Sequence, residues 1–292
     1  MKAPRNIILS RKGWDSKAGG FPSPILPDGS LGMIPIPDCN SGVTYSHLFF
    51  SDGRCMGPVV ERLSKGKILP EHHVHLDPDL RDEMVKRRFA FRPAFGQCGP
   101  AQSHLSNRAA GAENDLFLFF GLYRPVDDEW RYQKSDPQHV MFGWLQVERA
   151  ISLSPGNAIP THQKLHPHVI PSGIVASELK RQKRDNNTLY LGRDRLSFAP
   201  SLPGAAVFQR PYRNAAHDVR RLSTHGHEHC SRWTLPAFFR ELSNMGTKQP
   251  RCSGDTWCPQ RKGPGQEFVL KVTKEIEADV MTWLKRLFAY AE

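Results

Sequence analysis

The densest run of side chains that could bind a metal ion is HHVHLDPD, at residues 72–79. His73 and His75 stand two residues apart, so in an extended segment both imidazoles point to the same side. Asp77 or Asp79 could complete a set of nitrogen and oxygen ligands of the kind that zinc takes. The alternative is structural, because both aspartates suit the start of a helix and clustered histidines often lie on a surface. We assign no metal and keep His73, His75 and Asp77 as candidate ligands.

A second candidate site is the opening segment, SRKGWDSKAGGFPSP, at residues 10–24. Cationic side chains beside exposed backbone amides can bind phosphate, and glycine lets the backbone approach a ligand closely. Asp15, between the cations and the glycines, could act as a general base. The alternative is that the glycines and prolines only shape a tight crossover. The residues assigned to this predicted phosphate loop are Arg11, Lys12, Gly19 and Gly20.

Amide side chains gather in the segment GQCGPAQSHL, at residues 96–105. Gln97 and Gln102 each offer a donor and an acceptor, and His104 adds a further hydrogen-bonding group. A turn that carries such side chains at a strand end could read the edge of a base. An ordinary loop is the alternative. We predict a turn here that brings these three side chains to a bound nucleotide.

The overall charge of the chain favours a polyanionic partner. The 292 residues carry a formal net charge of +11 at pH 7, with a basic run at residues 180–184. Each Lys or Arg that contacts a phosphate releases counterions and so strengthens binding. A basic protein without such a partner is the alternative. We expect a nucleotide or nucleic acid as the partner, and the composition identifies no protein partner.

Missing patterns exclude several classes of protein. No apolar run approaches the roughly 18 residues of a membrane span, and the N-terminal apolar run is too short for a secretory signal. Six cysteines in a chain of this length do not form a disulfide framework. We therefore expect a cytoplasmic protein with reduced thiols and no membrane partner. P-loop, HExxH, dinucleotide and GxSxG motifs are all absent, so the sequence identifies no cofactor.

The candidate residues must be positioned by an α+β fold with a mostly antiparallel sheet, peripheral helices and long Gly/Pro-rich loops. Whether the sheet closes into a barrel-like form is left open. The apolar strands Leu116–Tyr123 and His139–Val147 predict a long central hairpin. A helix is predicted to begin at Asp77, with Pro78 at its first position. We treat residues 1–292 as one domain, with residues 242–265 as a flexible loop.

Other predicted elements are shorter or lie at the ends of the chain. A buried strand is expected at residues 6–10, followed by irregular chain up to about residue 75, a length that tends to be functional. The amphipathic pattern of Thr273–Ala289 predicts the final helix. The remaining predictions are strands at Thr188–Leu191, Ala205–Gln209 and Glu267–Val272 and a short helix near Leu235.

Ordered blocks along nearly the whole chain carry a family resemblance. They are SRKGWD (10–15), GG (19–20), PSPI (22–25), PIP (35–37), YS (45–46), HLDPDL (75–80), GQ (96–97), HL (104–105), DLFLFFG (115–121), His139 with FGWL (142–145), and QEFV (266–269). Through them the chain resembles the third family of nucleotide-modification-associated domains. The resemblance implies a role in modifying nucleotides or DNA bases. One departure is Asn114, which stands where we expect a glycine before Asp115.

The leading hypothesis is an enzyme, or enzyme component, that acts on nucleotides or DNA bases. Asp15, Asp77 and Asp79 would be its acids, with His75 and His104 as proton carriers or ligands. The residues assigned to substrate binding are Arg11, Lys12, Gly19, Gly20, Ser23, Tyr45, Gln97 and Gln102.

Two other function classes stay open. The first is a non-catalytic reader of modified nucleic acid, favoured by the aromatic strands LFLFFGLY and MFGWLQV and by the basic charge. A deep pocket with carboxylates would favour the enzyme, whereas a shallow basic groove with a steep salt dependence would favour the reader. The second is a metal-dependent hydrolase built on residues 72–79.

Overall fold

The structure is a computed structural model of the 292-residue chain. It describes all residues except 1, 16–17, 39–40, 89, 154–156, 158–160, 164–165, 170–185, 214, 227–228, 244–255 and 258–266, and it leaves out the side chains of residues 162, 256 and 257. The basic run at 180–184 and most of the predicted loop 242–265 therefore lie outside the described residues.

A large sheet of eight strands forms the centre of the described fold. Its main path runs β12-β1-β6-β7-β8-β5, while β2 pairs with β6 and β9 pairs with β7. The strands are β1 (Asn6–Arg11), β2 (Ser23–Ile25), β5 (Ala94–Gln97), β6 (Leu116–Pro125), β7 (Gln138–Ser152), β8 (Thr188–Gly192), β9 (Ala205–Val207) and β12 (Glu267–Lys271). All pairs are antiparallel except β1 with β6 and β2 with β6.

The predicted central hairpin is confirmed as β6 and β7, which pair from Leu116 with Gln146 to Tyr123 with Gln138. Side chains that alternate along β6 fill two different cores, because successive residues of a strand face opposite sides of the sheet. Phe117 and Phe119 pack into one core, and Phe120 packs into the other. Both faces of the hairpin are therefore buried.

Helices and short strands cover the sheet. The α-helices described are α1 (Met56–Leu63), α2 (Gly99–Asn107) and α3 (Glu277–Phe288), and 3-10 turns occur at Tyr45–His47, Asp82–Met84, Thr161–Gln163 and Ala237–Glu241. Two small antiparallel ribbons pair β3 (Ile36–Pro37) with β4 (Val74–His75), and β10 (Leu235–Pro236) with β11 (Thr256–Trp257). Helix α3 packs its apolar face on the second core, which confirms the amphipathic pattern of the C-terminal segment.

The predicted helix beginning at Asp77 is wrong. Residues 77–81 contain no helical turn, and Asp79 exchanges backbone hydrogen bonds with Ala94, which holds the segment along β5. A short 3-10 turn at Asp82–Met84 is the helical structure that forms there. The two aspartates do not cap a helix, because both carboxylates are buried against cationic side chains instead.

Other predictions are confirmed or corrected in detail. Strands are confirmed near residues 6, 188, 205 and 267. The predicted turn at 96–104 is wrong, since β5 ends at Gln97 and α2 begins at Gly99, with Pro100 in its first turn. A barrel-like sheet is also wrong for the described residues, because the sheet is open. Near Leu235 the chain forms a two-residue strand before a 3-10 turn.

The single-domain interpretation of residues 1–292 stays a prediction. Within the part of the chain that the structure describes, no helix combines the length and apolar character needed to cross a bilayer.

Candidate functional site

A cleft of about 480 Å³ lies beside the C-terminal ends of β1 and β5. Its walls come from the segment after β1, from the β3–β4 ribbon, from the end of β5 and from the segment that contains His168. A cavity of this size lies within the range of small-molecule sites in proteins. The cleft is therefore the place where the candidate residues can meet a ligand.

The first wall follows from the way the chain leaves β1. Lys12 extends the strand by donating its backbone N–H to Phe120, and Gly13 then turns the chain at a φ of +76°, which favours glycine. The next loop folds back so that Arg11 meets Asp15 at 3.1 Å. Asp15 also accepts the backbone N–H of Ala18 at 2.8 Å. Arg11, Lys12 and Asp15 thus reach the cleft from one short segment.

The second wall is the β3–β4 ribbon, in which Ile36 pairs with His75. This pairing brings Asp38, just past β3, beside His75, whose Nδ1 lies 2.8 Å from Asp38 Oδ2. The imidazole is mostly buried but faces the cleft.

Asp77 lies at the floor of the cleft and is almost fully buried. Its Oδ1 accepts the backbone N–H of Gly96 at 2.7 Å, and its Oδ2 lies 3.3 Å from Lys12 Nζ. Burial works to raise the pKa of Asp77, but the Lys12 charge and the contacts with His166 and His168 outweigh burial and hold the pKa well below its usual range. Asp77 is therefore an anion at neutral pH and does not serve as a proton donor.

His168 closes the cleft from the third side. Its Nδ1 lies 2.6 Å from Asn187 Oδ1, and its ring packs so closely on Gly96 that a Cβ there would come within 2.3 Å of the imidazole. Burial lowers the pKa of His168 to about 3, so the ring is neutral at physiological pH. Glycine at position 96 thus lets an imidazole, rather than a ligand, approach the backbone.

A buried carboxyl group, that of Glu267, lies behind the end of β5. Glu267 accepts hydrogen bonds from Ser10 Oγ, at 3.0 Å, and from the side-chain amide of Gln97. Burial raises the pKa of Glu267 above its usual value, although the Lys12 charge and these two hydrogen bonds oppose the shift. Through Gln97, which lines the cleft, this carboxyl group helps to fix the end of β5.

Residues 6–271 match the family model described as Nucleotide modification associated domain 3. This match covers most of the chain. The chain belongs to the Nucleotide modification associated domain 3 family. Comparisons with curated proteins and with solved structures found no match. Membership associates the chain with nucleotide modification, and three of the blocks that carry the resemblance, at residues 10–15, 75–80 and 96–97, contribute residues to the cleft.

The structure brings together part of the predicted site. The predicted residues that line the cleft are Arg11, Lys12, Asp15, His75, Asp77 and Gln97. They come from three separate blocks of the family resemblance.

Three other predicted site residues are buried and make hydrogen bonds within the fold, so they do not line the cleft. Ser23 is buried and accepts the backbone N–H of Ile34. Tyr45 is buried, donates to the Pro35 carbonyl and accepts from Trp14 Nε1. Gln102 accepts from the Tyr190 hydroxyl, which points its amide into the core rather than into the cleft.

The remaining predicted residues also lie away from the cleft lining. Asp79 is held by both terminal nitrogens of Arg87, at 2.7 and 2.8 Å. His104 lies on α2 with its Nε2 3.0 Å from Ser243 Oγ, and burial lowers its pKa. His73 is exposed. Gly19 packs against the Trp14 ring, while Gly20 lies in the open with a φ of +84°.

Sequence reasoning missed His168, its neighbour His166 and Asp38. The signal for the first two was His-Pro-His at residues 166–168, which has the same alternation as His73 and His75. For Asp38 the sequence offered only a carboxylate directly after the PIP block.

Proposed function

We propose that this protein is an enzyme that binds a nucleotide, free or within nucleic acid, in the cleft and modifies it. The observation that carries the proposal is that Arg11, Lys12, Asp15, His75 and Asp77 line one cleft. Cations suited to phosphate, carboxylates and imidazoles are the groups that binding and acid–base chemistry on a nucleotide require.

The same cleft favours the enzyme over the reader. A reader needs aromatic rings on which bases can stack, and the rings of the two aromatic strands are buried in the described structure. Phe117, Phe119 and Phe120 are fully buried, and Phe142 and Trp144 are nearly so. The sheet therefore offers no stacking surface on these strands, and the reader loses one of the two features that supported it.

Phosphate would be held by the cations of the first wall. Arg11 and Lys12 are each paired with a carboxylate, so an incoming phosphate must share them with Asp15 and Asp77. The Arg11 fork can contact phosphate and carboxylate oxygens together, because guanidinium has five N–H donors. We assign Arg11 to the phosphate contact, and Lys12 mainly to holding Asp77.

The proton-handling groups are those that face the cleft. Asp15 lies beside the Arg11 fork, and its carboxylate can accept a proton from a bound substrate. His75 is oriented by Asp38, which holds Nδ1 and leaves Nε2 to bind a ligand rather than to act as the base. Asp77 supplies negative charge rather than protons, because its pKa is low.

The experiment is a reconstituted assay of the purified chain with mononucleotides, single-stranded DNA and duplex DNA, analysed by nucleoside mass spectrometry. We expect a new nucleoside mass with the wild-type chain and at least a tenfold lower yield with Asp15→Asn. Exposed Asp128→Asn is the matched control. Tight binding to DNA with a steep salt dependence and no new nucleoside, in every cofactor supplement tried, would support the reader and refute the enzyme.

A further inference from the structure

The tautomer of His75 is set by its partner. Its Nδ1 lies 2.8 Å from Oδ2 of Asp38, and an ionised carboxylate can only accept a hydrogen bond. The proton therefore resides on Nδ1 in the neutral ring. Nε2 then presents its lone pair on the cleft side.

The tautomer of His168 is set in the same way by an amide. Asn187 Nδ2 donates to the His168 carbonyl at 3.1 Å, which orients the amide so that Oδ1 faces the ring. That oxygen lies 2.6 Å from His168 Nδ1, so Nδ1 carries the proton. In this tautomer Nε2 also presents a lone pair.

The two lone pairs face each other. His75 Nε2 and His168 Nε2 lie 3.2 Å apart, and in the tautomers set by Asp38 and Asn187 neither nitrogen carries a hydrogen to donate. Two acceptors at hydrogen-bond distance repel each other unless a cation or a proton lies between them. Asp77 Oδ2 lies 4.0 Å from each of the same two nitrogens, so the three atoms form a compact group.

The spacing fits metal coordination. For metal–nitrogen bonds of about 2.0–2.1 Å, tetrahedral ligands are about 3.3 Å apart. The nitrogen pair already has this separation, and the carboxylate oxygen needs to move by less than about 1 Å to reach it. We propose that His75 Nε2, His168 Nε2 and Asp77 Oδ2 bind one divalent transition-metal ion, with its remaining positions open to the cleft.

The surrounding groups hold the three ligands as metal sites require. Ligating histidines commonly donate their second nitrogen to a carboxylate or carbonyl oxygen, and Asp38 and Asn187 provide these acceptors. The Gly96 N–H fixes Asp77 Oδ1 and leaves Oδ2 on the metal side.

His166 gives a second and independent sign of a site built around Asp77. Its Nδ1 accepts the backbone N–H of His168, so in the neutral ring Nε2 carries a proton. This fully buried nitrogen points at Asp77 Oδ1 from 3.4 Å and makes no aligned hydrogen bond with any residue that the structure describes. An imidazole N–H is thus aimed at the carboxylate, where it can position the ligand without coordinating.

Lys12 is the rival cation. It lies 3.3 Å from Asp77 Oδ2 and accounts for the charge of that carboxylate. It does not explain why the two imidazole nitrogens face each other. Its hydrogen bond goes to the Asp77 carboxylate, and its Nζ lies over the Phe95 ring at 4.2 Å rather than between the imidazoles. A proton shared between the two rings is the other rival.

Two imidazoles with one carboxylate suit zinc and ferrous iron, the latter in sites that keep open positions for reactants. The ion would also change the charge of the cleft. Among the described residues of the lining, two cationic side chains face three carboxylates, so the net charge is negative when the histidines are neutral. A divalent ion makes it positive and so suits the anionic ligand of the proposed function. Metal binding itself does not rest on that function.

The test is metal binding by the purified chain, freed of metal by a chelator and then titrated with Zn²⁺ in air or Fe²⁺ under nitrogen. We expect one equivalent of at least one of these ions, with the affinity reduced at least tenfold in His168→Ala and Asp77→Asn and unchanged in His73→Ala. Asn187→Leu should lower affinity by about 10- to 100-fold, the usual effect of losing an orienting partner.

X-ray absorption on the wild-type chain keeps the test decisive where a variant fails to fold. The spectrum of the bound metal is expected to show scattering from two imidazole ligands. Overturning results are no stoichiometric binding of either ion by the wild type, or a spectrum with fewer than two imidazoles. Equal affinity losses in His73→Ala and His168→Ala would also overturn the assignment.

Discussion

His75 Nε2 and His168 Nε2 face each other at 3.2 Å, although the two residues are 93 positions apart in the chain. The contact joins the β3–β4 ribbon to the segment before β8 across the floor of the cleft. Asp77 lies beside both rings and is anchored through Gly96 to β5. Three separate parts of the fold, the β3–β4 ribbon, the segment before β8 and β5, therefore converge on one group of possible metal ligands.

Gly96→Ala should displace the His168 ring. The added Cβ would lie 2.3 Å from the imidazole, so the ring or β5 must shift. Overpacking of this kind costs about 1–3 kcal/mol in the free energy of unfolding, measured by urea denaturation. Gly42→Ala is the control, since a Cβ there meets no atom of the described residues within 4 Å. Equal stability of the two variants would show that His168 does not pack as described.

Arg87→Met should destabilise the fold far more than an exposed ion-pair variant. It removes the partner of buried Asp79, and breaking a buried pair costs about 3–5 kcal/mol. Arg131→Met is the matched control, because Arg131 pairs with Asp127 at the surface, where solvent screens the two charges and the pair contributes little to stability.

The same variants test whether Asp79 is structural rather than catalytic. Unfolding in denaturant gives the free energies, and nucleotide binding below the unfolding transition should be kept in Arg87→Met. A small stability loss together with abolished binding would contradict the structural role.

Glu267→Gln should change how stability depends on pH. The folded-state pKa of Glu267 is raised, so its contribution to stability is fully present below the unfolded pKa and is lost as pH rises through the folded pKa. As pH rises from the unfolded pKa through the folded pKa of Glu267, the wild type should therefore lose stability relative to Glu267→Gln. The glutamine oxygen can still accept from Ser10 and Gln97.

The measurement for Glu267 is the difference in unfolding free energy between wild type and variant from pH 4 to pH 8. Taking the difference cancels the titration of groups that both proteins share. A difference that stays constant, or that moves in favour of the wild type as pH rises, would be inconsistent with a raised pKa.

Arg11 and Asp15 should affect nucleotide binding in opposite ways. Losing a charge-assisted contact costs about 1.5–3 kcal/mol, so Arg11→Gln should weaken binding of a nucleoside monophosphate by about 10- to 100-fold. Asp15→Asn removes the carboxylate that competes for Arg11, so its affinity should be equal or higher while turnover falls. Calorimetry and the turnover assay separate the two effects. Weaker binding in both variants would contradict the assigned roles.

Local patterns in the sequence predicted the strands and the helix whose apolar side chains follow a regular spacing. The hairpin around Phe117 and Trp144 and the helix around Trp283 were predictable, because runs of apolar residues must be buried. The helix at Asp77 failed because tertiary contacts with Lys12 and Ala94 override a capping signal that a single segment cannot weigh.

The site was predictable only in part, for a related physical reason. Arg11, Asp15, His75 and Asp77 carry chemistry within short motifs, whereas His168 joins them only through the fold. Tyr45 looked like a ligand-binding residue in its motif, yet its hydroxyl is used in the core. Asn114 shows the opposite case: it stands where glycine was expected, and its φ of +69° is the conformation that favours glycine.

Nucleotide modification by this cleft, the function proposed above, can be tested on the nucleosides of living cells. DNA and nucleotide pools from cells that lack the protein would be compared by mass spectrometry with those from cells that make the wild type, Asp77→Asn or His73→Ala. We predict a nucleoside that appears with the wild type and His73→Ala and falls at least tenfold with Asp77→Asn at equal protein levels. Identical nucleosides in all four samples, or full activity of Asp77→Asn, would contradict nucleotide modification by this cleft.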